Sequence, residues 1–244
     1  MQQDAFWGFV QGRGNGVIVT RMGQTGPGIG RRAFLAGAGA AMASPASAGL
    51  MCTGFTEAGP GGVQRCTVGV PTVSVQGAGQ LCRYWCWAAC IQSLFATTGF
   101  HIGDQQRIVE QLFGRRDVCA TATGADIIRT INRNWQADDG RWFRAWAQPL
   151  LDLTLGVRNQ NVEQGVAWDL ANGFPLINGA LGHATLLTAM TYLTDRGGVS
   201  KGILDITVRD PWVPVGQPAV SRSLTAIEMK DTFFVAQVRV YART

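Results

Sequence analysis

Apolar positions follow two rhythms along this chain, a helical one in the first half and an alternating one in the second. Between residues 86 and 98, Trp87, Ile91, Leu94 and Phe95 recur at three- and four-residue steps and Gly99 follows as a stop, which predicts a helix over Cys86–Thr98. Asp104 reads as the N-cap of a second helix carrying Ile108, Val109, Leu112 and Phe113 and ending at Gly114. Ile127, Ile128, Ile131 and Trp135 mark a third, over Gly124–Trp135. Residues 136–160 are mixed, and Trp142, Phe143 and Trp146 are expected to be buried there. A fourth helix fits Val162–Ala171, closed by Asn172-Gly173.

From that point the period changes to two. Pro175–Asn178, His183–Leu193, Gly202–Arg209 and Thr232–Ala242 read as strands, with turn chemistry between them at Asp195-Arg196-Gly197-Gly198. The last strand alternates most clearly, placing Phe234, Ala236, Val238 and Val240 on one side. Ahead of all this, residues 49–79 are rich in Gly, Thr and Val and read as an extended arm with short strands at Gln64–Val68 and Thr72–Val75. Helices in front and antiparallel strands behind predict a segregated α+β domain of two lobes over residues 80–244.

The first 48 residues have a different character. Arg31-Arg32-Ala33-Phe34-Leu35 leads into a weakly apolar Ala/Gly run, Ala36 to Ser44, and then into Pro45-Ala46-Ser47-Ala48. That order is the order of a twin-arginine export signal of bacterial type, with cleavage expected after Ala48 and Met22 as a possible start. The apolar run is far short of the ~20 residues a membrane span requires, so no stable membrane anchor is expected. Cys52 follows Met51 rather than a small residue, which argues against a lipid anchor. Loss of residues 1–48 would remove four Arg and one Asp, reducing the net charge of +5 to about +2. The basic balance therefore owes much to the leader, and no basic stripe of a nucleic-acid binder remains.

All six cysteines (Cys52, Cys66, Cys82, Cys86, Cys90 and Cys119) follow the leader, and a periplasmic or extracellular destination permits disulfides. Cys52 with Cys66 would staple the arm, whereas Cys119 has Cys82 and Cys90 as alternatives. A Cys86–Cys90 bridge has poor geometry within a regular helix. Zinc competes for clustered cysteines, but the 82/86/90 spacing lacks a Cys-x-x-Cys pair and a nearby His. No metal or cofactor is expected.

Candidate chemistry concentrates at Gln80-Leu81-Cys82-Arg83-Tyr84-Trp85-Cys86-Trp87-Ala88-Ala89-Cys90. A cysteine at a helix start meets unpaired N–H groups and the positive end of the helix dipole, both of which favour thiolate. Such a sulfur needs a base, and the chain has two histidines. His101 lies in the turn after the same helix, roughly 20 Å from Cys86 at 1.5 Å per residue. His183 begins a strand within Gly179-Ala180-Leu181-Gly182-His183-Ala184, among small neighbours that permit close approach. An imidazole base also needs an orienting partner. Asp210 shares the parity of Ile206 and Val208 and so faces inward, whereas Asp205 points the other way. Trp212, next but one, would shield the contact from water.

Taken together, Gln80, Cys86-Trp87-Ala88-Ala89, Gly182-His183-Ala184 and Asp210-Pro211-Trp212 resemble the papain-like cysteine peptidases. The likeness is to compact bacterial branches with Cys-His-Asp triads, such as the C39-like and C70 (AvrRpt2-type) peptidases. It covers roughly residues 80–240 and implies an N-terminal helical lobe and a C-terminal antiparallel β-sheet or barrel lobe. By position it implies Cys86 as nucleophile, His183 as general base and then acid, Asp210 as orienter and Gln80 as oxyanion donor. Trp87, Trp212 and Gly182 would line or shield the cleft, and a peptide or protein would be the substrate. Papain itself has Asn in place of Asp210 and separates Cys from His by about 130–150 residues. Here the separation is 97, which implies shorter lobes. The same residues also suit acyl transfer to an amine, as in a transglutaminase, and an exported binding domain without activity would keep the fold alone.

Overall fold

The computed structural model describes residues 49–57, 59, 61–71 and 75–243. The expected leader lies outside the described residues, as does most of the strand expected at Thr72–Val75.

Among the described residues, five helices and one antiparallel sheet of ten strands make up an α+β fold. The strands β1 (Gly49–Cys52) and β2 (Val63–Gly69) come first, followed by three helices, α1 (Cys86–Thr97), α2 (Gln105–Phe113) and α3 (Gly124–Ile131). Next come β3 (Arg133–Gln136), β4 (Trp142–Asp152), the short β5 (Val157–Arg158) and α4 (Val162–Ala171). The chain then runs through β6 (Leu176–Ala180), β7 (His183–Asp195), β8 (Ser200–Asp210), β9 (Val220–Ser223), α5 (Ala226–Lys230) and β10 (Thr232–Ala242).

The main strand order is β1-β2-β7-β6-β10-β4-β3, with β8 on β7 and β9 on β8. β6 and β2 take successive stretches of one edge of β7, residues 183–187 and 189–195, while β8 pairs along the other edge. The N-terminal arm is thus built into the sheet through β2. Cys52 faces Cys66 directly across β1 and β2, and a disulfide joins them. The sheet stays open, with no closure into a barrel.

Capping chemistry sets the helix ends as the sequence implies. Asp104 accepts from the Gln106 N–H and Gly114 closes α2 in the left-handed conformation at φ 68°. Thr123 and Asp126 form a reciprocal capping box at the start of α3. The apolar side of α1 packs on β7 and β6, burying Trp87, Ile91, Leu94 and Phe95. Phe95 sits edge-on to Trp135 and Phe143, and Phe143 stacks on Phe100.

Two expectations are corrected. The third helix stops at Ile131 because the Asn132 side chain pairs with both backbone groups of Ala147, turning the chain into β3. Trp135 is buried as expected, but from a strand. In β4 the alternation buries Phe143, Ala145 and Ala147 and turns Trp142 and Trp146 to solvent, at 50% and 38% exposure. The large rings made both look like core, yet the strand's period places the small alanines inside.

Candidate active site

Cys86 opens α1 after a turn closed by the Trp85 N–H on the Cys82 carbonyl, and no side chain caps this helix. Its first N–H groups are therefore free to act on the sulfur, and the Trp87 N–H does so. A second donor comes from across the cleft, where the Ala184 N–H lies 3.5 Å from the Cys86 Sγ. Cys86 and Cys90 remain free thiols while Cys82 is joined to Cys119, which resolves the pairing the sequence left open.

His183 reaches the site from the first residue of β7, directly after a two-residue turn. Ala180 and His183 pair across that turn, and Leu181 and Gly182 both take positive φ, 51° and 73°. This is the backbone of a type I′ hairpin, in which glycine is at ease and leucine is not. Asp231 holds the turn by accepting from the Leu181 N–H at 3.1 Å.

The His183 Nε2 lies 2.8 Å from Oδ1 of Asp210, leaving Nδ1 for the sulfur. Asp210 ends β8 facing inward, as its parity predicts, while Asp205 accepts from the Thr207 hydroxyl at 3.3 Å. The Trp212 N–H also donates to Oδ1, at 2.8 Å, and its ring stands edge-on to His183 at 5.6 Å. Trp212 is 61% exposed, so it covers one edge of the imidazole and leaves the cleft open elsewhere.

The electrostatics follow from these contacts. Burial is the largest influence on His183 and opposes its charge, yet hydrogen bonds to Asp210 and Cys86 and their negative charges raise it to about 9. Burial likewise resists ionisation of Cys86, but the His183 bond, the Ala184 N–H and the imidazolium charge bring it below an ordinary thiol. Asp210, also opposed by burial, is held at about 2 by His183, the Trp212 N–H and Arg222. One turn along α1, the Cys90 thiol is pushed well up by burial and by the charges of Cys86 and Asp210.

Cys86, His183 and Asp210 are thus brought together, but Gln80 is engaged differently from a free oxyanion donor. It is buried, its Nε2 donates to the Arg83 carbonyl at 2.8 Å, and its backbone N–H donates to the Pro211 carbonyl at 3.0 Å. Gln80 therefore ties the loop before Cys86 to the chain after Asp210. Its Oε1 is buried and unpartnered among the described residues. His101 lies exposed in its turn, away from the site.

A cleft adjoins the sulfur, lined by Trp87, Gly182, His183, Ala184, Phe233 and Phe234. Thr121 and Ala122 form a further wall, on a segment pinned by the Cys82–Cys119 disulfide and by two indoles. Trp85 Nε1 donates to the Val118 carbonyl and Trp87 Nε1 to that of Ala120. The sequence reading missed this wall and missed Arg222 and Glu228. Thr225-x-x-Glu228, a capping-box pattern, was the available signal for the latter. Among the described residues, no group of three or more His, Cys, Asp or Glu is placed to hold a metal ion, and no helix is long and apolar enough to cross a membrane.

No family model and no curated protein matches the sequence. Among solved structures, the chain is similar to UfSP from C. elegans, with a TM-score of 0.39 and 11% identity. The alignment covers 82% of this chain and 35% of that one, so this chain spans about a third of that protein's length.

Proposed function

We propose that the protein is an exported cysteine peptidase of papain-like type, hydrolysing peptide bonds through Cys86, His183 and Asp210. The observation that carries this reading is the continuous contact from the Cys86 sulfur through the His183 imidazole to the Asp210 carboxylate. In that arrangement Cys86 and His183 rest as thiolate and imidazolium. The thiolate attacks a substrate carbonyl and His183 passes its proton to the leaving amine. Water, deprotonated by the same imidazole, then releases the acyl group. The oxyanion is met by the Cys86 N–H and by the second hydrogen on the Gln80 Nε2, whose first is occupied by Arg83. The two disulfides are compatible with export, and the twin-arginine pattern of residues 31–48 supplies the route.

Labelling with iodoacetamide at several pH values, followed by peptide mapping, tests the reading. Cys86 should react preferentially near pH 6 and lose that preference in His183→Ala. Equal labelling of Cys86 and Cys90, or an unchanged profile in the variant, sinks it. Peptide-library cleavage with and without an added amine separates hydrolysis from acyl transfer.

A further inference from the structure

Asp210 has a second oxygen that the His183 contact does not use, and a built assembly occupies it. Arg222 lies on β9 opposite Val208 of β8, on the side of the ladder that Asp210 shares. Its Nε donates to the Asp210 Oδ2 at 2.7 Å. The rest of the guanidinium is also held: Nη1 donates to the Ser223 carbonyl and to Glu228 Oε2, and Nη2 to Glu228 Oε1 at 2.6 Å. Glu228 is fixed in turn by the Thr225 capping box at the start of α5. The two-pronged carboxylate contact sets the plane of the guanidinium and so aims Nε at Asp210.

The geometry points to Arg222 as a positioning residue that, clamped by Glu228, holds the second oxygen of Asp210 and lowers the imidazole's affinity for its proton, an effect that Glu228 partly offsets. This rests on the thiol-peptidase reading, in which His183 must hold a proton at rest and deliver it to the leaving amine. The groups facing His183 and Asp210 are Cys86 and Cys90 from α1, Arg222 from β9 and, through Arg222, Glu228 from α5. The Arg222 charge offsets part of the Asp210 charge that favours imidazolium, and the Glu228 charge offsets part of the Arg222 charge. The two residues therefore act on His183 with opposite sign. A purely structural strut would give both substitutions the same direction of effect.

The chain's two histidines make the measurement direct, because His101→Ala assigns the remaining imidazole NMR signal to His183. In the full chain, Arg222→Gln should move the His183 titration midpoint up by about 0.5–1 pH unit and Glu228→Gln should move it down by a similar amount. The double variant should fall between them. Shifts in the same direction, or no shift in either folded variant, would overturn the proposal. If Arg222→Gln does not fold, the sign of the Glu228→Gln shift decides alone. The peptidase reading is tested separately by Cys86→Ala, which should lower the midpoint whatever occupies position 222. An unchanged midpoint there removes the thiolate–imidazolium pair, not the role of Arg222.

Discussion

The Ala184 N–H points at the Cys86 sulfur from 3.5 Å, so the strand that supplies the imidazole also supplies a backbone donor to the thiol. Helix and strand thus stabilise the same negative charge from two sides. One donor belongs to the residue after the cysteine, Trp87, and the other to the residue after the histidine. This arrangement makes the resting charge state measurable.

Turnover of a cleavable peptide should follow a bell-shaped pH dependence. The rising limb reports formation of the Cys86 thiolate and lies below the ordinary thiol range. The falling limb reports loss of the His183 proton at about 9. A single rising limb near pH 8–9 in kcat/KM, typical of an unassisted thiol, would contradict the pair.

Stability should also carry the signature of these groups. Asp210 and Glu228, held at about 2 against 3.8 and 4.5, contribute stability that is complete above the unfolded values and lost as pH falls through about 2. His183, raised from 6.5 to about 9, contributes stability that is complete below 6.5 and lost as pH rises through about 9. Cys86, lowered from 9.0, binds fewer protons than the unfolded thiol and offsets the His183 loss, so urea midpoints should rise from about pH 2 to about 5 and change little from there to about 9. In Cys86→Ala that offset is absent, and a decline should appear above pH 6.5.

Gln80→Ala should lower turnover by about 10²–10³ if its free amide hydrogen serves the oxyanion. KM should change little, because that contact strengthens only as charge develops on the substrate oxygen. A wild-type kcat in this variant would restrict Gln80 to bracing the Arg83 and Pro211 loops.

Leu181 occupies left-handed backbone at φ 51°, where a branched apolar residue is disfavoured. Leu181→Asn would create the Asn-Gly pair preferred by this hairpin and should stabilise the fold by about 1 kcal/mol, or roughly 2–4 °C in Tm. Thermal unfolding checks it. No gain, or a loss, would mean that the exposed leucine makes a compensating contact.

Gly124, at the start of α3, has no room for a side chain. A Cβ there would come within 2.5 Å of the Phe234 ring and 2.8 Å of the Asp152 carboxylate. Gly124→Ala should therefore cost about 1–3 kcal/mol and push Phe234 toward the cleft it lines. Denaturant unfolding reads the first effect and a raised KM the second.

Much of the site was legible because its elements carry local signals. The Cys86 helix shows itself in Trp87, Ile91, Leu94 and Phe95, and the choice of Asp210 over Asp205 follows from strand parity alone. What escaped depends on contacts distant in sequence. Trp135 has the spacing of a helical residue, but Asn132 binds the Ala147 backbone and ends the helix first. Trp142 and Trp146 have core side chains on the solvent side of a strand whose register is set by β10. Residues 211–231 hold Arg222 in a short strand and Glu228 in a five-residue helix, both too brief to generate a period. The engagement of Gln80 by Arg83 is likewise a matter of side-chain direction, which spacing does not encode.

The Gln80–Pro211 hydrogen bond and the Cys86–Ala184 contact have a consequence for how the chain matures. The latter partners are 98 residues apart in sequence, so neither link can form until β7 and β8 have docked on the first helix. Before that moment Cys86 is an ordinary thiol with no imidazole beside it. On the reading proposed above, chemical competence therefore belongs to the complete fold and not to the first helix alone.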